Sequence, residues 1–498
     1  MRISGLASGL DIEGMLEDIM RAERIPVDRL YRQKVKAEWK RDAYRDVNTK
    51  LLQLRTKAFD LRLQGSFSTR KVTSSNPSLV TATATGKAVD GTYEISVASL
   101  ASSGRVEWRA SEDVDVNAIV TDAIAEAGSD VEKAVIAFEG VDGNPVLVEL
   151  TKNDTLASFA AKINSNKNLG LNAFYDDVKK QMVITTKATG ASASVKLGED
   201  TDAAGRAIVS ELFGVDLDGH DFQEQAFVSI GTAGENAQLT INGLATERES
   251  NTFEINGVNI TLHGPTEGTS PVRVTVERDV DAVYDRIKGF VDLYNEIITE
   301  LNLKLREPVN RSYEPLTEAE RDEMNEKDIE RWETAAKSGL LRSDSIISRI
   351  LSDMRMAISG SDLAKVGIKT GSWQEYGRLH IDETALKEAI AEDPDGVMEI
   401  FTRQDGGENV GLAGKLTKIL DDGMERISST AGKASMPYDT SYLGEQIRRY
   451  ESRLEAMEDR LARVENRYWN QFIAMERALS ELYAQSDWLY QQLAVLQG

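Results

Sequence analysis

From residue 447 onward an apolar side chain recurs at every seventh position: Ile447, Leu454, Leu461, Tyr468, Met475, Leu482 and Leu489, with no proline after Pro437. Such a run predicts one helix reaching the C-terminus, roughly 80 Å long at about 1.5 Å per residue. The companion positions start as Tyr450, Met457 and Val464 but become Gln471, Ala478, Gln485 and Gln492, while Phe472, Leu479 and Leu493 take over the stripe. The first half therefore reads as a coiled-coil seam, and the second half broadens. A helix of this kind cannot bury its stripe against itself, so it needs a helix of the same chain or of a neighbouring subunit.

The beginning of the chain offers such a helix. In SGLASGLDIEGMLEDIM, Ser8 and Asp11 fit a capping pattern, and Ile12, Met15, Leu16 and Ile19 share one helix face. The candidate contacts of the two termini are thus Leu10, Ile12, Met15, Leu16 and Ile19 at one end. At the other end they are Ile447, Leu454, Leu461, Tyr468, Phe472, Met475, Leu479, Leu482 and Leu489. An ordinary intramolecular bundle accounts for the periodicity equally well. Pro26 is expected to interrupt the first helix, with the next beginning near Val27 or Asp28. Residues 20–57 hold twelve Lys or Arg against five Asp or Glu, either a solvated face or a docking surface for an acidic partner.

Residues 66–279 change to Thr, Ser, Val and Gly with strand alternation, as in TYEISVASL and PVRVTVER. Asn242-Gly243 and Asn256-Gly257 each sit between β-formers and predict hairpins. Residues 131–190 read as a strand pair around Asp142-Gly143, a helix carrying Leu156, Phe159, Ala160 and Ile163, and two more strands. Helical periodicity returns at 280–305 and continues through 346–358, 383–391 and 416–427. Between them, 317–333 carries eight acids against three bases and reads as a solvated loop or surface helix.

The fold class expected is a multidomain α+β protein with terminal helices in a coiled coil, a helical domain, and β-rich domains inserted between them. The divisions expected are 1–40 with 450–498 for the terminal coiled coil, 41–68 with 280–449 for the helical domain, 69–105 with 225–279 for one β-rich domain, and 106–224 for a second with one small helix.

Several function classes find no residues to carry them. There is no cysteine, and His220, His263 and His380 are too far apart for a metal or a paired acid-base site. No phosphate-cradling glycine loop or nucleophile elbow occurs, so neither enzyme nor cofactor is expected. A net charge of −23 repels nucleic acid and anionic lipid. No apolar run approaches a spanning helix, so the chain is not expected to be membrane-embedded. Asp11, Glu13, Glu17 and Asp18 spoil the opening as a secretory signal, which alone suggests a cytoplasmic protein.

Five stretches in order resemble the bacterial flagellar filament cap proteins, the hook-associated protein 2 family. They are SGLASGLDIEGML with MRAERIPVDRL, DGTYEISVASLA, TLASFAAKINSNKNLGLNAFYDD, NGLATERESNTFEINGVNITL, and KVGIKTGSWQEYGRLHIDETALKEAIAEDPDGVMEIF. Residues 102–130 and 309–335 resemble it least. The resemblance implies that the terminal helices form a coiled-coil leg and the inserted β-rich domains a head. The resemblance implies a ring-shaped homo-oligomer at the distal filament tip that retains exported flagellin and promotes its folding and insertion, without covalent chemistry. It implies contact with flagellin and with the filament or hook-junction end. It also implies export through the flagellar type III apparatus without a cleaved signal peptide, and an export chaperone on the C-terminal helix over Tyr468 to Leu493. Another flagellar axial protein, flagellin or a hook-filament junction protein, is the nearest alternative, and a surface adhesin binding host mucus through the head domains is a second.

Overall fold

The computed structural model describes residues 11–110, 118–127, 131–219, 222, 225–266, 268–405, 409–433 and 438–496. They divide into two compact units, Met1–Phe67 with Val280–Gly498, and Ser68–Asp279. In chain order the helices are α1 (Ile12–Asp60), α2 (Ile119–Glu126), α3 (Leu156–Ser165), α4 (Ala203–Phe213), α5 (Val280–Arg306) and α6 (Glu318–Asp322). They continue as α7 (Glu326–Lys337), α8 (Ser345–Ser359), α9 (Glu383–Glu392), α10 (Pro394–Thr402), α11 (Leu412–Ala431) and α12 (Tyr442–Leu496). With its several antiparallel sheets the chain is a multidomain α+β protein.

The first unit is a helical bundle. Leu51, Leu54 and Ala58 of α1 meet Ile287, Tyr294 and Ile298 of α5, Ile347 and Met354 of α8, and Leu416 and Ile427 of α11 in one core. These residues fall on single faces because their spacing follows the helical repeat. Asp344 fixes the start of α8: its carboxylate accepts from the Ile346 and Ile347 N–H groups at 3.0 and 3.1 Å. The same carboxylate accepts the Tyr44 hydroxyl, tying α1 to α8. Burial, with this bond to Asp344 second, pushes the Tyr44 phenol above its usual range.

Pro26 does not end the first helix, contrary to the expectation of a break there: α1 runs unbroken through it. Pro26 lies exposed, so the carbonyl freed of its intrahelical partner can be solvated. Val27, 4% exposed, and the buried Ile12 and Leu16 pack on either side of it and hold the axis. Tertiary packing here outweighs the local penalty.

The second unit has two cores. In the first, a five-stranded antiparallel sheet runs in the order Arg70–Ser74, Val272–Arg278, Gly91–Ser99, Ala237–Ile241, Leu244–Arg248. A three-stranded sheet, Thr252–Ile255, Val258–Leu262, Val80–Ala84, shares its core, including Ile95, Val97, Val258, Ile260 and Val274. Both expected Asn-Gly turns form, with φ of 49° and 82° at Asn242 and Gly243 and 50° and 81° at Asn256 and Gly257. Positive φ at both central residues is what matches the twist of the flanking strands.

In the second core, α2, α3 and α4 cover two further sheets, with Phe138, Phe159, Ile163, Met182 and Leu197 fully buried. The expected strand pair, helix and strand pair of 131–190 are Lys133–Glu139, Pro145–Thr151, α3, Leu171–Asp176 and Gln181–Thr189.

Asp154 locks the entry to α3. It accepts from the Thr151 N–H at 2.7 Å, the Ser158 hydroxyl at 2.7 Å and the Lys162 ammonium at 2.7 Å. Burial opposes its ionisation, but these donors outweigh it and hold the carboxyl well below the usual range. A depressed carboxyl stabilises the fold above its unfolded pKa, about 3.9, and that contribution is lost as pH falls through the folded value. Asp154→Asn should therefore be less stable than wild type at pH 7. The gap should close as pH falls below about 4. Denaturant melts of the full chain between pH 7 and pH 2 check this, and a gap independent of pH refutes it.

Candidate interaction surface

The two chain ends meet within one molecule. Ile12 and Leu16 of α1 pack on Trp469 of α12, with Met20, Tyr468 and Phe472 around them. Further along, Arg24 pairs with Glu458 at 3.2 Å, Lys34 with Glu451 at 3.5 Å and Arg45 with Asp439 at 2.8 Å. Partner numbers fall as α1 numbers rise, so the helices run antiparallel.

Asp439 is the fixed point of this pair. Its carboxylate takes the Arg45 guanidinium and the Ser441 N–H, and its carbonyl accepts from Arg448. Burial works against its charge, but the Ser441 bonds and Arg45 prevail and keep its carboxyl below the ordinary range. The root of α12 is thereby tied to α1.

Of the candidate contacts, Ile12 and Leu16 are buried, Ile19 is half-buried, and Met15 is 43% exposed on the outer side of α1. Leu10 lies outside the described residues. Ile447 and Leu461 are buried, and Leu454, Tyr468, Phe472, Met475 and Leu479 are half-buried. Leu482 and Leu489 are 60% and 54% exposed. The seam thus closes over the first half of α12 and opens past the level of Ile12. The open part carries Leu482, Tyr483, Trp488, Leu489 and Tyr490, each more than half exposed. The side chain of Leu493 lies outside the described ones.

Trp469, 8% exposed, is the contact that counting by sevens misses. A straight helix drifts about 20° per heptad against a seven-residue count, so three heptads from Ile447 carry the seam about 60° round. Position 469, beside the counted Tyr468, then faces α1. That drift was the available signal.

The basic face of α1 finds an acidic partner inside the chain. Arg32 pairs with Glu314 at 3.3 Å and Glu320 at 2.6 Å, and Lys36 with Glu314 at 3.2 Å. Burial resists ionisation of Glu320, but the Thr317 N–H and Arg32 hold its carboxyl low. The Lys337 ammonium lies 4.9 Å from the Trp39 ring centroid. The acidic stretch, expected as a loop or surface helix, is two surface helices, α6 and α7, seated on α1. Exposed pairs contribute little each, but together they define where this segment rests.

Among the described residues, no helix is long and apolar enough to cross a membrane, and no His, Asp or Glu cluster could hold a metal ion.

Comparison with known proteins points one way. Residues 234–484 match the family model of the flagellar hook-associated protein 2 C-terminus, residues 8–104 that of its N-terminus, and residues 135–188 the flagellin hook IN motif. The flagellar hook-associated protein 2 of Halalkalibacterium halodurans is 29% identical over 97% of this chain and 98% of its own length. The A-type flagellar hook-associated protein 2 of Pseudomonas aeruginosa is 26% identical over 100% of this chain and 98% of its own. In fold, the chain is similar to the crystal structure of the D1-D2-D3 domains of the Escherichia coli flagellar cap protein FliD. The TM-score is 0.55 at 23% identity, over 78% of this chain and 96% of that one.

Proposed function

The chain belongs to the flagellar hook-associated protein 2 family, and from that premise we propose that it caps the distal tip of a flagellar filament, retaining exported flagellin and promoting its folding and insertion. The observation that carries this reading is the end of α12: a helix already fastened at its root by Asp439 and along its first half by α1 leaves aromatic and aliphatic side chains open around its far end. Five large apolar residues on one exposed helix end call for a partner helix. On this reading the partner is a neighbouring cap subunit or the filament end, and contacts of modest area let the cap step as subunits insert. The caps assemble as a ring, working by shape and binding alone. Before export through the flagellar type III apparatus, without a cleaved signal peptide, a chaperone shields the same helix end.

The test is complementation of a strain deleted for its own cap protein. The expected result is restored swimming, with particles at filament tips by electron microscopy and little flagellin in the medium. A strain that swims normally without any cap gene product, or tips that stay bare while swimming returns, would sink the reading.

A further inference from the structure

In the helical unit, the short antiparallel strands Ile368–Thr370 and Leu379–Ile381 carry between them a loop with Trp373 83% exposed at its tip. An exposed tryptophan is common on mobile loops, but this loop is braced at every turn. The Gly371 N–H donates to the Arg378 carbonyl at 2.7 Å, and Glu375 accepts from the Ser372 N–H at 2.8 Å. Glu375 also meets the His380 ring at 3.1 Å. Asn295 of α5 holds the next residue, Leu379, by both backbone groups at 2.7 and 2.8 Å. Tyr376 is kept at φ 56°, a left-handed conformation that a non-glycine residue adopts at a cost, with the Arg306 guanidinium 3.7 Å from its ring centroid. So the loop backbone that carries the tryptophan is held in one conformation, with little backbone ordering entropy left to lose on binding.

Three arginines lie along the second half of this loop. Arg306 covers Tyr376, the Arg355 side chain runs within van der Waals reach of Gly377, and Arg378 follows directly. None of the three has a carboxylate within ion-pair distance among the described residues, in a chain of net charge −23. An exposed Trp on a braced loop, with Arg lacking ion partners further along the same loop, has the composition of a binding hot spot. Its complement is an acidic surface, and the chain carries one: α6, α7 and the turn between them, where Glu318, Asp322, Glu323, Glu326 and Glu330 are exposed, outnumber the exposed Lys327 and Arg331, and have no ion partner among the described residues. Two such acidic chains repel each other overall, and a contact that brings together patches of opposite sign offsets that repulsion.

We propose that the Trp373 loop of one copy docks on the acidic outer face of α6 and α7 of a second copy. This contact rests on the reading that the protein works as an assembly of copies, and adds a specified interface within it. It lies outside the terminal helices.

The test is sedimentation equilibrium of the full chain. Trp373→Ser, at a position too exposed to affect folding, is expected to weaken self-association at least tenfold. Arg378→Glu and the pair Glu323→Arg with Glu326→Arg should each weaken it as well. Mixing these two variants should restore association, because the opposite charges face each other again. Unchanged association of Trp373→Ser, or a mixture no tighter than its components, overturns the proposal. Complementation separates the two readings: if filament tips are capped while the Trp373 variant associates normally, this interface is wrong and the cap reading stands.

Discussion

Replacing Leu482, Trp488 and Leu489 together by serine is expected to leave the protein folded and equally heat-stable, yet unable to restore swimming to a cap-deficient strain. These side chains are 60%, 58% and 54% exposed, so the isolated molecule loses almost no packing with them. On a partner each would bury an area contributing about 1.5–3 kcal/mol. Even one such loss weakens binding about tenfold or more, and three together remove the contact. Flagellin released into the medium, measured beside circular dichroism melts of the variant, reads both halves of the expectation. A variant that swims, or one that melts early, defeats it: the first because the face then has no partner, the second because it was packing all along.

The second large effect is on stability. Phe290→Ala is expected to destabilise the helical unit by about 3–5 kcal/mol. Phe290 is 1% exposed, and its ring lies 6.2 Å from that of Tyr294, itself fully buried. The cavity would open where α5 meets the rest of the core. Calorimetry of the full chain should show the transition of the helical unit lowered and that of Ser68–Asp279 unmoved, since the two units have separate cores. A single transition shifted as a whole would show instead that they unfold together.

Much of the local structure is legible in the residues. The stripe of α5, the Asn-Gly hairpins and the order of elements in 131–190 all follow from periodicity and from φ constraints that act within a few residues. Pro26 shows where that reading stops. The helix-breaking tendency of proline is a local cost, and the packing that offsets it comes from residues more than 400 positions away, Trp469 among them. The basic face of α1 is a second case. Its twelve cations read equally as a solvated face or as a docking surface, and that Glu314 and Glu320 take up Arg32 and Lys36 depends on how 309–337 folds back, which no local pattern encodes.

By itself, then, the sequence determined the long C-terminal helix, the turns between strands, and the exclusion of thiolate chemistry, because each depends on composition or on spacing within one element. Only the tertiary structure decided which end of which helix is covered. Burial is a property of the whole packed chain: the same apolar heptad is closed at Leu461, where α1 lies alongside, and open at Leu489, which extends beyond the described start of α1.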